Sequence, residues 1–160
     1  MKKSFLAAIA GVIGVITGVA AVGKVQGKAI KLNEKNVNKF KSYYNMLNQW
    51  LTIKQEGKSL EKYFIENGYK TIVIYGMGEM GQRLYEDLKN TDIEVKYAID
   101  KEAASIYATL KIVEKDSYLE SADIMVVTAI YAYDEIKEEM EAIVDFPIVS
   151  LENIIYDLNS

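Results

Sequence analysis

The sequence of 160 residues contains no cysteine, no histidine and a single proline. The absence of cysteine excludes disulfides and thiolate nucleophiles, and the absence of both residue types excludes the usual zinc ligands. Without histidine, the chain also lacks the side chain that most often acts as a general acid or base near neutral pH. No spacing of acidic residues matches a calcium-binding loop. We therefore predict no metal site and assign no catalytic residue.

An excess of basic residues is also missing, since the formal net charge is −4. A nucleic-acid-binding protein needs lysine and arginine to neutralise phosphates, so we expect no nucleic-acid partner. Hydrophobic residues make up 50% of the chain and charged residues 26%, which is typical of a globular protein. A chain of this length has room for one ordinary domain and short additional segments.

Residues 5–23 carry no charge. As an α-helix this run would be about 28 Å long, which is close to the thickness of the hydrocarbon core of a bilayer. Residues 1–23 are therefore predicted to form an N-terminal transmembrane helix that anchors the chain in the cell membrane. A signal peptide is the alternative, because lysines precede the run and small residues end it.

Lysines are concentrated in the segment after this run, residues 24–36, which we interpret as a basic tether. More lysines follow the run than precede it, and this bias places the C-terminal domain of a single-pass protein in the cytoplasm. If the N-terminal segment is instead a cleaved signal peptide, the protein is secreted. Within the run, two pairs of small residues are spaced four apart (Ala7 with Gly11, and Gly14 with Gly18), which allows a homodimer through this segment.

Residues 37–68 are predicted to form a helical lead-in. An apolar stripe with spacings of three and four residues indicates an amphipathic helix that ends near Gly57. The stripe consists of Val37, Phe40, Tyr44, Leu47 and Leu51, with Tyr43 and Trp50 beside it. We expect this stripe to pack on the following domain or on a partner chain. A second, short helix over residues 60–66 would be capped by Ser59.

Residues 69–160 alternate between strand and helix patterns, which predicts a Rossmann-like α/β domain of three layers. Strands are predicted over residues 71–75, 93–99, 110–113, 123–128 and 147–150, and helices over residues 79–89, over 133–143 and from residue 152. The fourth strand is a continuous apolar run, as in a buried parallel sheet. The predicted sheet is therefore parallel and five-stranded, with the order 3-2-1-4-5.

The first strand leads directly into a G-x-G-x-x-G loop that begins the next helix, an arrangement typical of dinucleotide-binding turns. In such turns Gly76 would allow the tight turn, Gly78 would let the backbone approach a diphosphate, and Gly81 would let the helix pack on the strand. Asp100 ends the second strand, about 20 residues later, where an acid can bind a ribose hydroxyl. The predicted cofactor-binding residues are Gly76, Met77, Gly78, Glu79, Met80, Gly81, Asp100 and Thr128. The predicted cofactor is NAD or a nucleotide-sugar; the alternative is that the loop joins strand to helix and binds no ligand.

A Tyr-x-x-x-Lys pair, which transfers protons in short-chain dehydrogenases, occurs three times. The pairs are Tyr85/Lys89, Tyr107/Lys111 and Tyr133/Lys137. None of them follows the glycine loop at the distance which that enzyme class requires. We therefore interpret all three pairs as structural.

Three segments together resemble a group of Rossmann domains that accompany bacterial surface-polysaccharide enzymes, such as nucleotide-sugar dehydratases and epimerases. These segments are residues 72–81, 97–101 and 124–129. The resemblance implies a domain that binds a nucleotide or nucleotide-sugar, or that regulates an attached enzyme. It assigns this role to the three loop glycines and Asp100.

The leading hypothesis is a membrane-anchored cytoplasmic Rossmann module that binds NAD or a nucleotide-sugar. It would act as a non-catalytic sensor or adaptor in cell-surface polysaccharide biosynthesis, with a polysaccharide-synthesis enzyme as a partner. One alternative is a subunit of an NAD-dependent oxidoreductase or nucleotide-sugar-modifying enzyme that a partner completes. The other is a ligand-free protein-interaction domain that uses the apolar stripe.

Overall fold

The computed structural model describes residues 32–103 and 109–159. The predicted anchor, residues 1–23, and residues 24–31 of the predicted tether lie outside the described residues. Among the residues that are described, no helix is long and apolar enough to cross a membrane. The described residues from 43 onward belong to one compact unit, and the described residues before them, 32–42, are helical.

Five α-helices and five strands make up the described chain. The first helix, α1, covers residues 32–55 and therefore begins before the predicted boundary at residue 37. The order that follows is α2 (Leu60–Glu66), β1 (Thr71–Tyr75), α3 (Glu79–Leu88), β2 (Glu94–Ile99), β3 (Ile112–Val113), β4 (Ile124–Val127), a 3₁₀ turn (Ile130–Ala132), α4 (Tyr133–Glu141), β5 (Ile148–Ser150) and α5 (Leu151–Asp157).

The strands form one parallel sheet in the order β3-β2-β1-β4-β5, as predicted. The third strand is shorter than predicted, because only Ile112 and Val113 pair with β2. The strand order reverses between β1 and β4, which are neighbours at the centre of the sheet. In open α/β sheets, ligands bind outside the carboxyl ends of the strands at such a reversal point.

Helices cover both faces of the sheet. Successive strand residues point to opposite faces, so Ile72 and Ile74 of β1 lie in one hydrophobic cluster and Val73 in the other. The first cluster contains buried residues of α1, α2, α3 and α5. The second contains Met140 of α4 and the side chains around it. The three predicted layers are therefore present, and the lead-in helices belong to the layer that contains α3.

The C-terminal part of α1 packs on the domain through a face that overlaps the predicted stripe only in part. Met46, Trp50 and Ile53 are buried in the first cluster. Tyr44 and Leu51, from the predicted stripe, remain 69% and 54% exposed. From the predicted stripe and its flanks, Trp50 is buried in this cluster, and Tyr43 and Leu47 are packed against it. The predicted contact with the domain is therefore present for these three residues, and the alternative of a partner chain stays a prediction.

The predicted cap of α2 is confirmed. The Ser59 hydroxyl oxygen accepts a hydrogen bond from the Lys62 backbone N–H at 3.4 Å, which satisfies one free donor of the first turn. Gly68 follows the helix with φ of +77°, a left-handed conformation that lets the chain turn into β1. This turn sets the direction of β1, so that the glycine loop lies at the opposite, carboxyl edge of the sheet.

Candidate functional site

Gly76 follows β1 and turns the chain sharply. Its φ is +95°, and an added Cβ would lie 2.9 Å from the Thr128 hydroxyl oxygen. Its N–H donates to the Ile99 carbonyl at 2.8 Å, which joins the loop to the end of β2. Both the backbone conformation and the close approach of Thr128 therefore require glycine here.

Gly81 lies in the first turn of α3, against the loop. An added Cβ would overlap the carbonyl oxygen of Gly76 and would lie 3.5 Å from the Ile74 side chain. Helix α3 can approach β1 this closely only because residue 81 has no side chain. The packing role predicted for this glycine agrees with that geometry.

Gly78 differs from its two neighbours in the motif. Its φ of −67° and ψ of −164° are accessible to other residues, and no atom lies within 4 Å of an added Cβ. The residue is the N-cap of α3, where it makes no side-chain hydrogen bond to the first turn. Glycine is a frequent N-cap residue, slightly weaker than serine or aspartate. Neither backbone conformation nor packing within the described chain explains glycine at this position.

Asp100 lies beside the glycine loop, as predicted, and is bonded to it. Its Oδ2 accepts from the Met77 N–H at 2.7 Å, and its Oδ1 accepts from the Glu102 N–H at 2.9 Å. The carboxylate thus fixes the loop to the end of β2. Each carboxylate oxygen has a second lone pair, so the group can still accept a hydrogen bond from a hydroxyl.

Thr128 joins the loop to the end of β4. Its hydroxyl lies 2.6 Å from the Gly76 carbonyl oxygen, to which it donates, and its N–H donates to the Tyr75 carbonyl at 3.0 Å. The side chain is buried, with 3% exposed. The predicted residues Gly76, Asp100 and Thr128 are therefore brought together, but the Thr128 hydroxyl uses its proton to hold the turn.

The remaining predicted residues divide into core and surface. The side chains of Met77 and Met80 are buried in the first cluster, so only their backbone atoms are near the loop surface. Glu79 is exposed in the first turn of α3, where its negative charge suits the positive end of the helix dipole. Met77 and Met80 are thus packing residues whose side chains hold the loop on the domain.

Tyr43, which the sequence did not mark as a site residue, reaches the same edge of the sheet from α1. Its hydroxyl donates to the Thr128 carbonyl at 3.3 Å, and its ring meets that of Tyr131 edge-on at 6.2 Å. Burial, and after it Tyr131, raise the pKa of Tyr43 to about 12, against a hydrogen bond from the Ile130 backbone that lowers it. The tyrosine is therefore a neutral donor at any physiological pH.

The Tyr133/Lys137 pair is not arranged for proton transfer. The Tyr133 hydroxyl donates to the Ile148 carbonyl at 3.0 Å, and Lys137 Nζ lies 5.9 Å from the centre of the Tyr133 ring. Lys137 is also 3.7 Å from Glu141 on the same helix. These contacts agree with a structural role for the pair.

A groove of 670 Å³ lies between α1 and α3, beside the loop. It is open, and side chains of both charges line it, including Lys54, Arg83 and Glu86. Trp50 forms part of its wall and donates to Asp87 at 3.4 Å. Arg83 shares the groove with Glu79, Glu86 and Asp87, so the groove lacks the uniform positive charge that would attract an anion.

Comparison of the chain with protein-family models, with curated proteins and with solved structures finds no match. Over residues 32–103 and 109–159, no three acidic side chains lie close enough together to hold a metal ion. The glycine loop and the residues bonded to it are the features of the described chain that suit a ligand.

Proposed function

We propose that the α/β domain binds a nucleotide, NAD or a nucleotide-sugar, at the glycine loop. The observation that supports this is the contrast among the three glycines. Gly76 and Gly81 are required by contacts within the chain, whereas the space beside Gly78 is open to solvent. A glycine with open space beside it, at the start of a helix, is expected where a ligand must touch the backbone.

The surrounding groups suit such a ligand. The first N–H groups of α3 have no partner within the helix and point toward its amino end, where they favour a diphosphate. Asp100 stands at the end of the neighbouring strand with free acceptor capacity for a ribose hydroxyl. An unphosphorylated ribose fits better than a 2′-phosphate, because a phosphate would be repelled by the carboxylate.

The proposed role is that of a non-catalytic sensor or adaptor. The chain has no histidine or cysteine, and the hydroxyl of Tyr133 is already bonded to the backbone. The uncharged run at residues 5–23 supports a membrane anchor, and the lysines after it support a cytoplasmic domain. A setting in cell-surface polysaccharide assembly, beside an enzyme partner, is supported by the sequence resemblance alone.

The test is calorimetric titration of the full-length chain with NAD⁺ and with UDP-glucose. We expect binding by the wild-type chain and a loss of at least about tenfold in affinity for Gly78→Ala, because the new methyl group would occupy the diphosphate position. The thermal midpoint of Gly78→Ala without ligand should stay near that of the wild type.

Gly68→Ala is the matched control. Gly68 precedes β1, so it lies at the opposite edge of the sheet, and its φ of +77° makes alanine strained. This variant should lose about 1 kcal/mol of stability and keep the affinity of the wild type. If the wild-type chain binds neither NAD⁺ nor UDP-glucose, or if Gly78→Ala binds as tightly, the proposal is wrong.

An interaction domain is the second candidate, because Tyr44 and Leu51 lie exposed on α1. Single exposed apolar residues are common, but two large ones seven residues apart, about two helical turns, suit a partner helix. In this case Tyr44→Lys and Leu51→Lys would abolish capture of a partner and would leave the thermal midpoint unchanged. Gly78→Ala would leave that capture intact.

A further inference from the structure

A ligand at the glycine loop can extend in two directions along the carboxyl edge of the sheet. A dinucleotide crosses this edge at the reversal point, with its diphosphate at the start of the helix and a nucleoside on either side. Here one side leads to Asp100 at the end of β2. The other leads to Thr128 at the end of β4, since β1 lies between these strands.

The β4 side is occupied by an aromatic pair. Tyr43 bonds to the carbonyl of Thr128, the first residue after β4, and its ring packs edge-on against Tyr131. Tyr43 is partly buried and belongs to the same face of α1 as the buried Met46 and Trp50. Because that face is held in the core, Tyr43 cannot leave the edge by a small shift of α1.

The β2 side presents the open space beside Gly78 and the carboxylate of Asp100. The space beside Gly78 is open, and Asp100 is only partly buried. Each carboxylate oxygen of Asp100 has a lone pair that can accept a further hydrogen bond. A diphosphate at the first turn of α3 can therefore direct its nucleoside toward Asp100, whereas the β4 side holds the ring of Tyr43.

We propose that Tyr43 determines specificity by closing the β4 side, so that the site takes a nucleoside diphosphate and excludes a second nucleoside. This specificity rests on the proposed function. It restricts the expected ligands to those that contain one nucleoside and excludes dinucleotides. Tyr43 is a positioning residue that acts by occupying space and by anchoring its hydroxyl on Thr128.

The experiment compares matched ligand pairs on the full-length chain by calorimetry. ADP is compared with NAD⁺, and UDP with diuridine diphosphate, so that the base on the β2 side is the same within each pair. The wild type should bind the preferred nucleoside diphosphate at least about tenfold more tightly than its dinucleotide. Tyr43→Ala should reduce that ratio to near one by tightening the dinucleotide, whereas Tyr43→Phe should retain the ratio because the ring remains.

Tyr44→Ala is the matched control, since Tyr44 is the neighbouring tyrosine and is 69% exposed. It should leave the ratio unchanged. A wild-type chain that binds the dinucleotide as tightly as the nucleoside diphosphate overturns this inference and leaves the nucleotide site standing. A wild-type chain that binds no nucleotide overturns both. The wild-type comparison decides the matter even if Tyr43→Ala does not fold.

Discussion

The three loop glycines have different reasons to be glycine, so one substitution should have different effects on them. Gly81→Ala should destabilise the chain by about 2 kcal/mol or more, because its methyl group would overlap the Gly76 carbonyl and push α3 away from β1. Gly78→Ala should change stability by less than about 1 kcal/mol, since its methyl group meets no atom. Urea unfolding of the two variants measures both values. Equal losses would show that the loop geometry is not the one described.

The Asp100 carboxylate accepts one hydrogen bond from the glycine loop and another from the residue two positions after it. Asp100→Ala leaves the N–H groups of Met77 and Glu102 without their acceptor, and hydrogen bonds to a charged acceptor contribute about 1.5–3 kcal/mol. Because the site is only partly buried, we expect a loss near the lower end, about 1.5 kcal/mol. Amide hydrogen exchange at Met77 should also become faster. Asp145→Ala, at an exposed aspartate, is the control and should change stability by less than about 0.5 kcal/mol.

At the scale of the element, α1 has two apolar faces with different roles. Ile53 is fully buried in the core, so Ile53→Ala should cost about 2–5 kcal/mol through lost burial and a cavity. Leu51, two residues earlier, is 54% exposed, and Leu51→Ala should cost less than about 0.5 kcal/mol. Denaturant unfolding of the two variants tests which face packs. A larger loss for Leu51→Ala would mean that the Leu51 face, and not the Met46 face, contacts the domain.

At the scale of the whole molecule, tyrosines on both sides of the sheet make folding stability depend on pH in the alkaline range. Burial raises the pKa of Tyr43 and of Tyr97 to about 12, and burial also raises the pKa of Tyr63 and Tyr75. In the unfolded chain a tyrosine titrates near pH 10. The folded state therefore holds more protons between pH 10 and about 12, and its stability falls as the pH rises through this range.

We expect the urea midpoint to be independent of these tyrosines below about pH 10 and to decline steeply above it. The double variant Tyr43→Phe/Tyr97→Phe should decline less, because a phenylalanine has no proton to lose. Tyr118→Phe is the control, since Tyr118 is 87% exposed. Lysines also lose their charge in this pH range, so the decline of the wild-type chain alone does not test the prediction. The difference in decline between the variants does. Equal slopes for all three proteins would contradict the prediction.

The sequence alone determined the elements of the domain and their order in the sheet. This was possible because β1 and β4 are continuous apolar runs, and because the glycine loop marks the passage from strand to helix within a few residues. The position of Asp100 beside that loop follows from the same local unit, since the ends of adjacent parallel strands meet at one edge.

The tertiary structure alone decided which face of α1 is buried and what reaches the loop from elsewhere. The Tyr44 face and the Met46 face both have helical spacing, so periodicity cannot choose between them; only the surface offered by the sheet and α3 selects one. Tyr43 meets Thr128 across 85 positions of chain, a contact that no local pattern encodes. Whether a glycine is free or enclosed likewise depends on residues distant in sequence, which is why only the folded chain distinguishes Gly78 from Gly81.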